Sequence, residues 1–414
     1  MNARQEYACS RVLGGKSVFL TGCPGTGKSY CLGAIIAKFK GHRRRFGVTA
    51  LTGCAALLIE GATVHSFLSI GLAKPSAEDL YRDLLRSSRY ILYYKNKLEE
   101  LIALQVLIID EISMMNAELL DKVSEYLSLI RKNVLPFGGV QVVFVGDFYQ
   151  LPPVTGRFCF ESETWYDSNM ETIVLTEQMR QNEDTVFKDI LSRARVAEPT
   201  HDDLERLSMC EGIDPPAGVK YTRLYSLNIN VDEINLTELN DLLCEEPTPE
   251  WRTYKLIGKH SITLCIGAQV MVTRNLCLPA GICNGTRGVV ESLGDNDVTI
   301  TLVNGMSYNL EYTQTLHSKT GVFVRGELDL KLAWAVTIHK SQGSTIDLLE
   351  IDLGTSVFAA GQAYVGLSRA ISLDKVRVTS VCREAFKVDD RVVDFYDEVT
   401  RESERTMQKV CCMV

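Results

Sequence analysis

The segment SVFLTGCPGTGKSYCLGAIIAKF, starting at Ser17, constrains the fold more than any other part of this 414-residue chain. Its centre, GCPGTGKS over Gly22 to Ser29, has the spacing G-x-x-x-x-G-K-[ST]. A phosphate spreads its charge over several oxygens, so a loop that receives one needs many inward N–H groups and few side chains in the way. Glycines meet that need. The apolar run before the loop fits a buried strand, and after it apolar residues recur at helical spacing. Strand, loop and helix together aim a helix N-terminus at the anion. Gly22, Pro24, Gly25, Thr26, Gly27, Lys28 and Ser29 are therefore the candidate nucleotide-binding residues. Lys28 would reach the outer phosphates and Ser29 would ligate Mg²⁺.

Such a loop needs a carboxylate on a neighbouring strand to hold the metal. The run LQVLIIDE ends in Asp110 and Glu111. Asp110 would hold Mg²⁺ through water, and Glu111 would orient or deprotonate the attacking water. ATP hydrolysis is the expected chemistry.

A chain of this length exceeds one ordinary core, so two or more packed units are expected. No run of eighteen apolar residues occurs, and MNARQEYACS lacks the form of a signal peptide, so a soluble intracellular protein without a membrane partner is expected. The thirteen cysteines show no C-x-x-C pair, which points to free thiols in a reducing compartment. The terminal CCMV fits a C-a-a-X lipidation pattern only formally, because Cys412 stands where an aliphatic residue belongs. A net charge of −8 argues against nucleic acid, but screening limits each charge to roughly 10 Å, so the sum says little about a narrow groove.

Between residues 18 and 175 the apolar runs SVFLTG, FGVTAL, LQVLIID, VQVVFVGD and ETIVLT alternate with helical patterns, which predicts right-handed crossovers and a mostly parallel sheet. Residues 72 to 98 interrupt that alternation with a charged, tyrosine-rich insertion. A second strand and helix series follows, containing YTRLYSL, LLEIDLG and KVRVTSV. Within it, residues 256 to 325 read as short alternating strands between Gly, Asn and Asp turns, the pattern of a small β barrel.

The motifs VFLTGCPGTGKS, VTALTGCAALLIEGATVHSFLSIGL, LIIDEISMMNAELLDKV, PFGGVQVVFVGDFYQLPPV, LTEQMRQ, GAQVMVTRNL, NGTRGVV, AWAVTIHKSQGSTID and AYVGLSRA follow one another from about Gln5 to about Val381. In order and spacing this chain resembles the Pif-type DNA helicases, of the 5′-to-3′ branch of helicase superfamily one, with RecD-like helicases as cousins. The resemblance implies an α/β fold of two RecA-like parallel-sheet lobes of the P-loop NTPase type, with a wedge insertion in the first and an SH3-like β-barrel insertion in the second. On that plan the first lobe would span 1–71 and 99–175, the wedge 72–98, the second lobe 176–255 and 326–400, the barrel 256–325 and the tail 401–414.

The same resemblance assigns roles. Arg180 and Arg369 would bring positive charge to the γ-phosphate, an effect typically worth 10³ to 10⁵ in rate. Gln150 would sense that phosphate, with Asp147 nearby; Gln5 would read adenine, and Gly343 would line the nucleotide site. Single-stranded DNA would meet Thr52, Gly53 and His65 on the first lobe and Asn275, Asn284, His339, Lys340 and Ser341 on the second, through backbone contacts and stacking rather than base-edge readout. Tyr81, Tyr90, Tyr93 and Tyr94 are the candidates for a wedge. Two features depart from the family pattern: Gly366 replaces the usual alanine, and Cys23 lies inside the phosphate loop. The activity implied is ATP- and Mg²⁺-dependent translocation on single strands and unwinding of forked DNA, in replication, recombination or repair and alongside proteins of those processes. The alternatives are a translocase that only displaces proteins and an ATP-switched DNA-binding module. The expected setting is a bacterial cytoplasm, or the cytoplasm or nucleus of a host.

Overall fold

A computed structural model describes residues 1–177, 184–215, 219–226, 229–256, 261–274, 276–277, 282, 286–302, 305–316 and 323–411. Arg180, Asn275 and Asn284 lie outside the described residues, as do 412–414.

The first lobe contains α1 (Ala3–Leu13), β1 (Val18–Gly22), α2 (Lys28–Gly41), β2 (Phe46–Ala50), α3 (Gly53–Leu58), β3 (Ala62–Thr63) and α4 (Val64–Leu68). After α5 (Ala77–Ser88) and α6 (Leu92–Ala103) it continues through β4 (Val106–Asp110), α7 (Ala117–Arg131), β5 (Gln141–Val145), α8 (Glu163–Asp167) and β6 (Glu171–Leu175). Its six strands form a parallel sheet in the order β3-β2-β4-β5-β1-β6. The five long strands are those the apolar runs predict. Almost every residue of β1 and β5 is buried, because helices cover both faces of a parallel sheet. The two-residue β3 is too short to produce any periodicity, so it is invisible in the sequence.

The second lobe opens with α9 (Thr185–Arg195), α10 (His201–Ser208), β7 (Thr222–Tyr225) and α11 (Ile229–Leu243). An antiparallel unit follows: β8 (Trp251–Lys255), β9 (Ser261–Cys265), β10 (Gln269–Val272), β11 (Arg287–Leu293), β12 (Asp297–Leu302), β13 (Ser307–Glu311), β14 (Thr313–Leu316), β15 (Phe323–Glu327) and β16 (Leu330–Leu332). Its main sheet runs β13-β12-β11-β10-β16 and so reaches Leu332, beyond residue 325. Alternation of buried and half-exposed residues along β12 gives this unit its own core around Tyr254, Val270, Val298 and Ile300. The lobe then resumes with β17 (Ala335–Thr337), α12 (Ile338–Ser341), β18 (Leu349–Leu353), α13 (Gln362–Leu367) and β19 (Val376–Val381), in a parallel sheet ordered β17-β7-β18-β19.

The last helix, α14 (Asp390–Cys411), returns to the first lobe. Its Phe395 packs with Phe160 at 4.4 Å, Phe148 at 5.4 Å and Phe19 at 6.1 Å, so the end of the chain completes the core under β1. Among the described residues no helix is long and apolar enough to cross a membrane.

Candidate functional site

In open parallel sheets, ligand-binding groups gather beyond the carboxyl ends of the strands. Here β1 ends at Gly22 and β4 at Asp110, which pairs in register with Ala50 of β2. Thr52 lies two residues beyond Ala50, and His65 two beyond Thr63, the register partner of Ala50. The chain thus collects four motifs on one edge of the first lobe.

The loop from Gly22 to Ser29 is held by backbone. Gly22 has φ +149°, and a Cβ there would lie 2.4 Å from the Leu175 carbonyl oxygen. Gly27 has φ +80°, and a Cβ there would lie 2.5 Å from the Gln5 amide nitrogen. The backbone approach at Gly22 and the positive φ at Gly27 exclude other residues. Thr26 N–H and Oγ1 both donate to the Cys23 carbonyl, which closes the turn around Pro24 and Gly25. Gly27 caps α2 without a side-chain bond, so the first-turn N–H groups have no capping side chain, as anion binding requires. Gln5 donates to the Thr26 carbonyl at 3.2 Å, and its oxygen accepts the Asn2 N–H in a capping box. The Lys28 Nζ donates to the carbonyls of Gly22 (2.6 Å) and Cys23 (3.1 Å). Burial drives its ammonium below the usual lysine range, while the carboxylates of Asp147 and Glu111 pull it partly back.

Burial, followed by the charge of Glu111, pushes the Asp110 carboxyl up to about 7. Glu111 has φ +54°, a left-handed conformation that non-glycine residues adopt rarely and that collects at functional sites. A divalent cation fits here: Ser29 offers an exposed hydroxyl at the start of α2, and Asp110 is a carboxyl whose charged form needs a nearby positive partner.

The second lobe supplies the opposite wall. Gln342, just after α12, donates from Nε2 to Glu111 Oε2 at 2.9 Å and to Gln150 Oε1 at 3.4 Å. Gly343 faces Glu111, since a Cβ there would lie 3.8 Å from Oε1. Arg369 is buried, with Nε bonded to the Val365 carbonyl at 2.9 Å and Nη1 to the carbonyls of Ser341 (3.4 Å) and Ser344 (3.3 Å). It therefore grips the turn that carries Gln342 and Gly343.

A further residue, Arg195 at the end of α9, forms a bidentate pair with buried Asp147, Nη2 to Oδ1 at 2.8 Å and Nε to Oδ2 at 3.1 Å. Gln342 and Arg195 both escaped sequence reading. The available signal was the polar neighbour of a glycine in HKSQGS for the first; an arginine at a helix end gives none for the second.

Of the candidate DNA residues, Thr52 caps α3 by accepting Ala55 N–H, and Gly53 is exposed. His65 on α4 and His339 on α12 are half-buried, and burial holds both imidazoles below the usual histidine range. Lys340 lies in α12; Ser341 is buried, with its hydroxyl donated to the Ile338 carbonyl at 2.8 Å. In the insertion, Tyr81 and Tyr94 pack on the first-lobe core, while Tyr90 and Tyr93 are 84% and 58% exposed.

Comparison with known proteins decides the kinship. A family model described as PIF1-like helicase matches residues 2–195, and a second, DNA helicase Pif1, 2B domain, matches 254–293. The ATP-dependent DNA helicase Pif1 of a Psychrobacter strain is 32% identical, over 93% of this chain and 69% of its own length. The chain belongs to the PIF1-like helicase family. Another PIF1 relative, the human ATP-dependent DNA helicase, is 35% identical over 97% of this chain, which spans 64% of that protein. Among solved Pif1 structures, that of the Candida albicans helicase superposes with a TM-score of 0.81 at 32% identity, covering 96% of this chain and 99% of the other. A Bacteroides Pif1 in complex with ADP-AlF4 gives 0.76 at 28% identity, with 97% of each chain covered. The two-lobe fold with its inserted β unit is thus the Pif1 fold.

Proposed function

We propose that the chain is an ATP-dependent DNA helicase that moves 5′ to 3′ on single-stranded DNA and separates duplexes at forks. The observation that carries this reading is the Gln342 amide, which reaches from the second lobe to both Glu111 and Gln150 of the first. A residue adjoining the HKS segment thereby touches the group that activates water. A shift of α12 along DNA is transmitted to hydrolysis, and the reverse.

In this mechanism the α2 N-terminus and Lys28 bind the phosphates, and Glu111 takes the proton of the attacking water. Ser29 and Asp110 would hold Mg²⁺, which would supply positive charge to the phosphate oxygens. Arg369 brings second-lobe charge to the seam, a role the family resemblance also gives Arg180, and Gln150 reports the state of the phosphate. Gln5 reads the base. Thr52, Gly53, His65, His339 and Lys340 form the DNA track, to which the family resemblance also assigns Asn275 and Asn284; Ser341, buried and bonded to the Ile338 carbonyl, supports α12 from within. His65 and His339, being neutral, contact DNA as hydrogen-bonding rings rather than as cations. The exposed Tyr90 and Tyr93 form the wedge of the insertion at 72–98. Solved Bacteroides Pif1 structures bound to single-stranded DNA and to ADP-AlF4 support the assignment by likeness.

The test is strand separation on 5′-tailed and 3′-tailed forks side by side, with ATP hydrolysis followed with and without single strands. Unwinding of the 5′-tailed fork and strongly DNA-stimulated hydrolysis are expected, both lost in Lys28→Ala and Glu111→Gln. Hydrolysis indifferent to DNA would defeat the proposal.

A further inference from the structure

Asp147 is fully buried beside the phosphate loop and gathers donors from three helices and its own loop. Arg195 of α9 makes two bonds, Tyr149 N–H donates to Oδ1 at 3.2 Å, Tyr396 of α14 donates to Oδ1 at 3.2 Å and Tyr364 of α13 to Oδ2 at 3.4 Å. An ionised carboxylate can only accept, so the Tyr396 proton is committed to Asp147. The same phenolic oxygen accepts Phe148 N–H at 3.1 Å and lies 2.6 Å from Thr21 Oγ1, which must therefore donate. Thr21 immediately precedes Gly22. The Arg195 guanidinium lies 4.1 Å from the Tyr149 ring centre and 5.1 Å from that of Tyr396, and these rings stack on each other at 4.7 Å.

The charges here face a functional conflict. A loop built for a polyanion carries Lys28 in a neighbourhood with Asp147 and Glu111, and an unneutralised buried carboxylate would capture the ammonium that the phosphates need. Lys28 feels Asp147 and Arg195 with opposite sign. Burial pushes the Asp147 carboxyl up, but the Arg195 charge and hydrogen bonds bring it below the usual carboxylate range, so the pair is ionic. We propose that Arg195, clamped by Tyr396 of the C-terminal helix, is a positioning residue that holds and neutralises Asp147 and so leaves Lys28 available to phosphate. The C-terminal helix is then part of the nucleotide site, although it lies outside both family models. The inference rests on nucleotide occupying the Gly22 to Ser29 loop.

The test is direct binding of a fluorescent ADP analogue, measured alongside kcat and KM for ATP on the intact chain. Arg195→Met is expected to weaken nucleotide binding about tenfold or more, and adding Asp147→Asn should recover most of the loss, a coupling that a purely structural role would not produce. Tyr396→Phe keeps the ring stack and removes only the hydroxyl; a fall in kcat/KM of about fivefold with unchanged circular dichroism is expected. Unaltered affinity in Arg195→Met, or a double variant as weak as the single, would overturn the proposal. Should Arg195→Met fail to fold, Arg195→Lys decides: loss of the bidentate fork and of the ring stacking should weaken binding severalfold, and adding Asp147→Asn should recover the loss; a loss that persists in that double variant would overturn the idea. A wild-type protein that binds the analogue without hydrolysing ATP would refute the helicase reading and leave this one standing.

Discussion

A Cβ on Gly366 of α13 would lie 2.4 Å from the Cδ1 of Ile351 on β18, so the departure from the family's alanine is matched by a methyl group that occupies the space. Overpacking costs about 1–3 kcal/mol, and alanine in a helix returns about 1. Gly366→Ala should therefore lower stability by about 1 kcal/mol in urea unfolding, and Gly366→Ala with Ile351→Val should restore it. The Arg193–Asp203 pair makes a second residue-level prediction. Two bonds of 2.6 and 2.7 Å from Arg193 hold the Asp203 carboxyl down at about 2, with Thr200 N–H adding a third. A depressed carboxyl stabilises the fold above its unfolded value near 4 and loses that contribution as pH falls toward 2. Asp203→Asn should cost about 2 kcal/mol at pH 7 and almost nothing near pH 2, read as the difference in unfolding free energy. These residues also mark the limit of what sequence conveys. Lys28, Asp110 and Glu111 are legible because glycine spacing and an apolar run are local signals. Arg195 meets Asp147 across 48 positions and Tyr396 meets it across 249, and no pattern within a window encodes such pairings.

At the scale of elements, the hairpin of α5 and α6 turns the tyrosine-rich insertion into two different surfaces. Leu84 and Leu101 anchor its inner face on the first-lobe core, with Tyr81 and Tyr94 alongside. The turn between the helices and the first residues of α6 present Tyr90, Ile91, Leu92 and Tyr93 to solvent, an apolar group that isolated folding does not require. Stacking of a base on an aromatic ring is worth roughly 1–3 kcal/mol, comparable with the 1.4 kcal/mol of an average DNA stacking step. Tyr90→Ala with Tyr93→Ala should thus slow fork unwinding about tenfold while single-strand-stimulated hydrolysis persists. Equal loss of both activities would place these residues in folding instead. Sequence alone left four tyrosines equivalent, because helical phase and not residue type decides which of them face inward.

For the whole molecule, the first core contains Tyr364 from the second lobe and Val392, Phe395, Tyr396 and Val399 from α14, so the lobes share apolar contacts as well as polar ones. They should unfold together. Saturation with nucleotide at about a hundredfold excess over Kd adds about 2.7 kcal/mol, which for a chain of this length raises the calorimetric midpoint by about 3 °C in one transition. Two transitions, only one of them moved by ligand, would mean independent lobes. The position of α14 also bears on biosynthesis. Phe19 emerges from the ribosome 376 residues ahead of its neighbour Phe395. The first lobe therefore waits through the synthesis of all that lies between them with an oily face uncovered, which makes nascent or prematurely stopped chains natural clients for chaperones.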